Sequence, residues 1–445
     1  MKQVSSGPSQ ISVAELAKRA RVASRQLAKL SNECRNEILT RAAKAIEENA
    51  ERILEANARD CRPAGAAVAA GKMSASMFAR LKLSSRGIEE MANRVRDVAR
   101  LPDPLGRRLA ATELDDHLVL YKETCPLGVI GIVFESRPDV VPQVAALALK
   151  SGNAVLLKGG AETAYTNQTL VEIWRHCFEG FPSVSAEAVE LLHTRADVME
   201  LLKLERDVDL IIPRGSRELV DFVGQHSRVP VLGHGAGICH VYVDRAADLE
   251  KAIKITLDSK AQYPAACNAA ETLLVHQEIA PEFLPRAISE LTQAGVELRA
   301  CPKTRALLKR PEMIRAEEVD WTTEYSDLIL SIRTVSDLDD AIAHIHRYGS
   351  GHTETIITED AQAAKLFMEE IDAAGVFHNA STRFADGFRY GLGAELGIST
   401  SKLHARGPVG LEGLTTYKYK LFGDGHTVAE YSSGARHFTH RASVE

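Results

Sequence analysis

The chain has 445 residues, 45% hydrophobic and 26% charged, a globular balance with room for two or three domains. Lys plus Arg is 54 against 60 for Asp plus Glu, a formal charge of −6, which argues against a large nucleic-acid footprint. No apolar run reaches membrane-spanning length, and the polar residues 1–10 lack the apolar stretch of a signal peptide, so a cytoplasmic protein is expected.

Residues 12–98 read as helices. Leu27, Leu30, Ile38, Leu39, Ala42, Ala45 and Ile46 recur at three- and four-residue steps, the stripe of a buried helix face. Residues 113–122 alternate as an extended ribbon. From residue 128 the pattern changes. Strands at 128–134, 153–158, 188–192, 208–212 and 229–232 alternate with helices at 138–151, 163–178, 196–204 and 216–226. This alternation predicts a mostly parallel sheet with helices on both faces. A second alternating block places strands at 239–243, 271–275, 328–332, 353–358 and 375–378. Its helices fall at 246–257, 281–294, 336–348 and from 361. The expected fold class is therefore α/β, with two α/β domains meeting near 233–240. Residues 433–445 are polar and are expected to fray.

Three strand-to-helix turns carry residues suited to anions. Arg137 stands just before a helix that opens on Pro138. Lys158, with Gly159 and Gly160, emerges at the carboxyl end of a parallel strand, where open α/β sheets bind ligands. Gly215 and Ser216 begin a helix whose first N–H groups suit a phosphate. For each cation a solvated surface residue is the competing reading. The run from Gly233 to Gly237 is followed by a strand, not a helix, so it is a tight linker and not a dinucleotide fingerprint.

Cys267 lies in a loop of small residues, Pro264-Ala265-Ala266-Cys267-Asn268-Ala269, that feeds a buried strand. A thiolate there is a strong nucleophile; a small buried hydrophobe is the alternative. The 7 cysteines are odd in number and lack paired spacing, so neither a disulfide framework nor a metal site is expected. His344 and His346 point to different faces of one helix, which also argues against a metal. Asn379 and Arg383 follow a strand end and form a polar rim. Glu395 is a lone carboxylate among glycines.

Taken together, these segments resemble the aldehyde dehydrogenase superfamily over about residues 12–425. They are most similar to its branch that reduces L-glutamyl 5-phosphate. The resemblance is carried by 126–143, 150–160, the loop through Cys267-Asn268, 379–384, 391–395 and 402–408. It implies a Rossmann-like cofactor domain (1–112 and 127–238, with about 385–410), a catalytic α/β domain (239–384), and a small β oligomerisation element (113–126 with about 411–424), followed by a tail at 425–445. It implies Cys267 as the catalytic thiol and NADPH or NADP as cofactor. Lys158, Gly215, Ser216 and Glu395 would bind the cofactor; Arg137, Asn268, Asn379 and Arg383 would bind substrate. A homo-oligomer is implied, and an upstream glutamate 5-kinase is a further partner to consider. Two departures matter. The general-base glutamate that hydrolytic members carry 34 positions before the thiol is Gly233 here, and their oxyanion asparagine is replaced by Ser136 or Arg137. A thioester on Cys267 therefore suits phosphate exchange better than hydrolysis. The rival readings are a hydrolytic NAD(P)-dependent aldehyde dehydrogenase and a non-catalytic binding protein of the same fold.

Overall fold

The computed structural model describes residues 11–73, 75–233, 235–309 and 313–442; the segment 1–10 and His234, both read above, lie outside the described residues. Ser12, Ser31 and Ser84 each accept a backbone N–H three positions on and so start helices. These caps open α1 (Val13–Leu27), α2 (Asn32–Glu48) and α5 (Ser85–Arg100), with α3 (Ala50–Ala69) and α4 (Ala75–Leu81) between them. The chain then forms a hairpin, β1 (Arg108–Asp115) and β2 (Leu118–Pro126).

Alternation follows: β3 (Val129–Phe134), α6 (Val140–Lys150), β4 (Ala154–Lys158), α7 (Ala164–Cys177), β5 (Val189–Leu191), α8 (Arg195–Leu201), β6 (Leu210–Arg214) and α9 (Arg217–His226). The four strands are parallel in the order β5-β4-β3-β6. Every residue of β3 is buried, as a strand covered on both faces requires. Register sets Val133 beside Lys158 and Phe134 beside Arg214, so the three anion-suited turns share one sheet edge. The strand expected at 229–232 is reduced to a single bridge from Val231 to Ile211.

The second block runs β7 (Cys239–Val243), α10 (Leu249–Ala261), β8 (Ala270–His276), α11 (Ala280–Gln293), β9 (Glu297–Ala300), α12 (Pro302–Leu308), β10 (Ile314–Arg315), β11 (Ile329–Val335), α13 (Leu338–Tyr348), β12 (Thr353–Ile357), α14 (Ala361–Glu370) and β13 (Gly375–His378). Its seven strands are all parallel, in the order β10-β9-β11-β8-β7-β12-β13. One face buries Val241, Leu273 and Val275 against Phe283 and Leu284 of α11; the other buries Tyr242, Leu274 and Ile356 against Ile345 and Phe367. A two-stranded ribbon, β14 (Ile398–Ser399) with β15 (Gly407–Pro408), follows.

The last elements are β16 (Thr415–Phe422), α15 (Val428–Ser432) and β17 (Arg441–Ala442). They join the early hairpin in an antiparallel sheet of order β16-β2-β1-β17. The described part of the tail is not frayed. Tyr431 Oη donates to Asp115 at 3.0 Å, Arg436 pairs with the same carboxylate at 3.0 Å, and the Thr439 N–H donates to the Leu114 carbonyl at 2.8 Å. An edge strand offers unpaired backbone groups that a polar tail can satisfy. Two compact units result. One holds the chain up to Leu232 with Gly393–Leu396 and the chain from Val409; the other holds Gly233–Leu392 with Gly397–Pro408. The stretch 385–410 is thus divided between them. No helix among the described residues is long and apolar enough to cross a membrane.

Candidate functional site: a pinned thiol loop and a cationic sheet edge

In the second unit, Cys267 sits half-buried in the loop between α10 and β8. Hydrogen bonds pin this loop and the end of α10 to the 381–385 turn. Ser259 Oγ donates to Ser381 Oγ at 3.2 Å and accepts the Thr382 N–H at 3.2 Å. Arg383 Nε donates to Gln262 Oε1 at 3.0 Å, and Asn268 Nδ2 donates to the Ala385 carbonyl at 2.7 Å. Arg383 is 7% exposed and Asn268 3%. Burial lowers the Arg383 guanidinium, with Arg389 pressing the same way and Asp386 and Cys267 opposing. Cys267, Asn268 and Arg383 are therefore brought together. Asn268 Oδ1 is buried with no hydrogen-bond partner among the described residues.

Asn379 is placed differently from the open polar rim that its sequence suggests. Its φ is +52°, a left-handed turn that asparagine tolerates. Its amide accepts the Thr358 N–H and donates to the Thr358 carbonyl, both at 3.0 Å. The side chain is spent on shaping the turn after β12.

The glycine run proves to be more than a linker. A Cβ on Gly237 would lie 2.2 Å from the Cys267 carbonyl oxygen and 2.8 Å from its Cα. The Gly237 N–H donates to Glu324 at 2.9 Å, and the Ile238 N–H donates to Ser350 Oγ at 2.9 Å. Cys239, next along, donates its thiol to the Cys267 carbonyl at 3.4 Å. The sequence held one usable signal: a glycine dense enough for close backbone approach.

A buried ion pair also escaped the sequence reading. Lys260 Nζ lies 2.6 Å from Glu271 Oε2, with both side chains at most 1% exposed. Burial pushes the Glu271 carboxyl up to about 7, against the pull of Lys260 and the Ser326 N–H, with Glu324 adding to the rise. Burial lowers the Lys260 ammonium, against Glu271, Asp327 and Cys239. Removing one partner alone is expected to cost about 3–5 kcal/mol. A folded-state value above the ordinary 4.5 means that the folded chain takes up this proton first. The Glu271 contribution to stability is then full at acid pH and lost as pH rises through about 7. We expect the wild-type urea midpoint to gain on that of a Lys260→Met/Glu271→Met protein as pH falls from about 8 to 6. A pH-independent difference between the two proteins would contradict this.

In the first unit, Lys158 is half-buried with Nζ against the Gly159 carbonyl. Burial lowers its ammonium, with Glu162 and Asp197 opposing and Arg195 adding to the fall. Gly159 admits no side chain, because a Cβ would meet Asn167 Nδ2 at 2.1 Å. Ser216 caps α9 through its Oγ, yet its own N–H donates to Glu135 at 2.8 Å. A Cβ on Gly215 would lie 2.4 Å from the same carboxylate. Ser136, at φ +43°, donates both N–H and Oγ to Glu162 at 2.8 and 2.7 Å. A carboxylate thus occupies the Ser216 N–H, which the sequence reading left open to a phosphate, and a second carboxylate takes the Ser136 N–H. Arg137 is exposed and lies 3.5 Å from Asp139. The Glu395 carbonyl accepts from Gln143 of α6 at 2.6 Å, which fixes this segment to the first unit.

Comparison with known proteins follows the same lines. Residues 3–306 match the model of the aldehyde dehydrogenase family. The chain is 57% identical to a gamma-glutamyl phosphate reductase of Synechococcus sp. over 95% of this chain and 92% of that one. It is 53% identical to a protein of the same name from Acaryochloris marina, over 97% and 98%. The crystal structure of gamma-glutamyl phosphate reductase from Thermotoga maritima superposes with a TM-score of 0.90 at 42% identity, covering 94% of this chain and 100% of that one.

Proposed function

The chain belongs to the aldehyde dehydrogenase family, and we propose that it reduces L-glutamyl 5-phosphate to L-glutamate 5-semialdehyde with NADPH, releasing phosphate, as a step of proline biosynthesis. The observation that carries this reading is the Cys267 loop: a half-buried thiol, pinned at its flanks, beside the buried cation Arg383. Identity above 50% with proteins named for this reaction supports it.

The Cys267 thiolate attacks the acyl carbon of the acyl phosphate, and the C–O bond to phosphate breaks. The backbone N–H of Cys267 helps hold the oxyanion. Arg137 and Arg383 supply the two cations that a substrate bearing a phosphate and a carboxylate needs. Asn268 lends its amide oxygen to the substrate ammonium or stays as loop support; Asn379 shapes the turn that leads to Arg383. Bound NADPH supplies the hydride that reduces the thioester. The resulting thiohemiacetal on Cys267 expels the thiolate as the aldehyde leaves.

The first unit has a donor set that suits a dinucleotide. Lys158, with Arg195 near enough to press on its charge, would hold the ribose 2′-phosphate. Gly159 and Gly215 keep the surface clear of side chains, Ser216 would begin the helix beside the dinucleotide, and Glu395 would take nicotinamide-ribose hydroxyls. Gly233, 34 positions before Cys267, supplies no carboxylate to activate water. Glu324 approaches the same segment, but one of its oxygens accepts the Gly237 N–H.

A homo-oligomer in the cytoplasm completes the reading. Among the described residues the outer edge of β16 is unpaired, and the strand carries exposed Tyr417, Tyr419, Leu421 and Phe422, which a second copy would cover. The lability of an acyl phosphate favours delivery from an upstream glutamate 5-kinase.

The test runs the reaction backward. Glutamate semialdehyde, NADP and inorganic phosphate should give reduced cofactor, with the rate saturating in phosphate and vanishing without it. Turnover that ignores phosphate would support the hydrolytic rival instead.

A further inference from the structure

Lys260 lies one residue before the end of α10, and Glu271 is the second residue of β8. The residues between them are the loop that carries Cys267. The pair therefore joins the two ends of that loop, Nζ to Oε2 at 2.6 Å. The second carboxylate oxygen accepts the Ser326 N–H at 3.3 Å, and the ammonium lies 5.9 Å from the Tyr325 ring. Tyr325 is itself held by Asp320 and Ser331 at 2.9 and 2.7 Å. The clasp thus rests on a framework that leaves it little room to shift.

Stability alone is a poor reason for such a pair, because desolvating two charges offsets most of their attraction. Two apolar side chains would close the same gap without that cost. An ion pair differs in being directional: it fixes one separation between the loop ends, where apolar packing tolerates a range. The links from Gln262 to Arg383 and from Asn268 to Ala385 hold the body of the loop to the 381–385 turn, and the ion pair joins the loop's two ends.

We propose that the Lys260–Glu271 ion pair is a positioning clasp that closes the base of the nucleophile loop and sets where the Cys267 thiol stands for attack. The proposal rests on the reading of Cys267 as the nucleophile.

The decisive protein is Lys260→Met/Glu271→Met, which removes the pair without leaving a lone buried charge. Three quantities are measured: the urea midpoint, kcat and KM of the phosphate-dependent back reaction, and the rate at which iodoacetamide alkylates Cys267 without substrate or cofactor. A folded protein with kcat lowered about 100-fold, KM for phosphate within about 2-fold, and an alkylation rate changed by more than about 3-fold is expected. A folded double variant with wild-type kcat and alkylation rate overturns the proposal. If that protein does not fold, Glu271→Asp takes its place. It keeps both charges but shortens the span by one methylene, and a drop of about 10-fold in kcat with altered alkylation is expected. Wild-type values in a folded Glu271→Asp protein overturn the proposal equally. Failure of the nucleophile reading is seen separately, as turnover that survives Cys267→Ala.

Discussion

Cys267→Ser is expected to lower turnover in the back reaction by about 10^4-fold or more while NADP still binds. A serine hydroxyl is a far weaker acid than a thiol, so it stays protonated at neutral pH. Cys239, whose thiol contacts the Cys267 backbone, cannot substitute: it is fully buried, and that burial pushes its thiol well above the ordinary 9.0, with Glu354 and Cys267 adding to the rise. A buried neutral thiol beneath the loop is packing material. The residues proposed to hold the cofactor, Lys158, Ser216 and Glu395, belong to the other unit, so cofactor binding should be untouched. Fluorescence titration with NADPH and single-turnover kinetics separate the two effects. A Cys267→Ser protein that keeps more than about a hundredth of wild-type turnover would mean that no thioester forms on this residue.

Much of this architecture was legible because parallel strands buried on both faces read as apolar runs. Residues 128–134 and 153–158 were located within a residue of β3 and β4 for that reason. The short strands β9 and β10 carry no such signal and are held by neighbours rather than by their own pattern, whereas the apolar run at 229–232 reads as a strand and forms a single bridge. The described tail was misread as frayed because its partners, Asp115 and the β1 backbone, lie over 300 residues away in sequence. Cys267, Asn268 and Arg383 were legible as types in the right loops, and the structure brings them together. Asn379 was legible as polar but not as a turn former, since a left-handed φ is decided by the chain around it. The Lys260–Glu271 pair was invisible. One residue ends a helix and the other opens a strand, so no helical or strand period links them.

The glycine at 237 gives the second large effect. Gly237→Ala is expected to lower kcat by about 100-fold, the penalty for displacing a reacting group by about an ångström. The new Cβ would meet the Cys267 carbonyl carbon and Cα at 2.8 Å and its oxygen at 2.2 Å. These are backbone atoms, so no flexible side chain can swing aside. The Gly237 segment cannot retreat easily either, because its N–H is held by Glu324 and the next N–H by Ser350. The Cys267 loop must therefore give. Backbone conformation is not the obstacle: Gly237 is not among the glycines with a positive φ, so alanine is allowed there and the clash alone sets the cost. Gly224→Ala is the matching control. It lies in α9 with nothing within 4 Å of the added Cβ. It should keep full activity and gain about 0.5–1 kcal/mol, as helix interiors favour alanine over glycine. The pair of variants turns the claim into a comparison of the same chemical change at two sites. Normal kcat and normal iodoacetamide reactivity in Gly237→Ala would show that the loop absorbs the clash without moving its thiol, and the close approach would then have no part in placing the nucleophile.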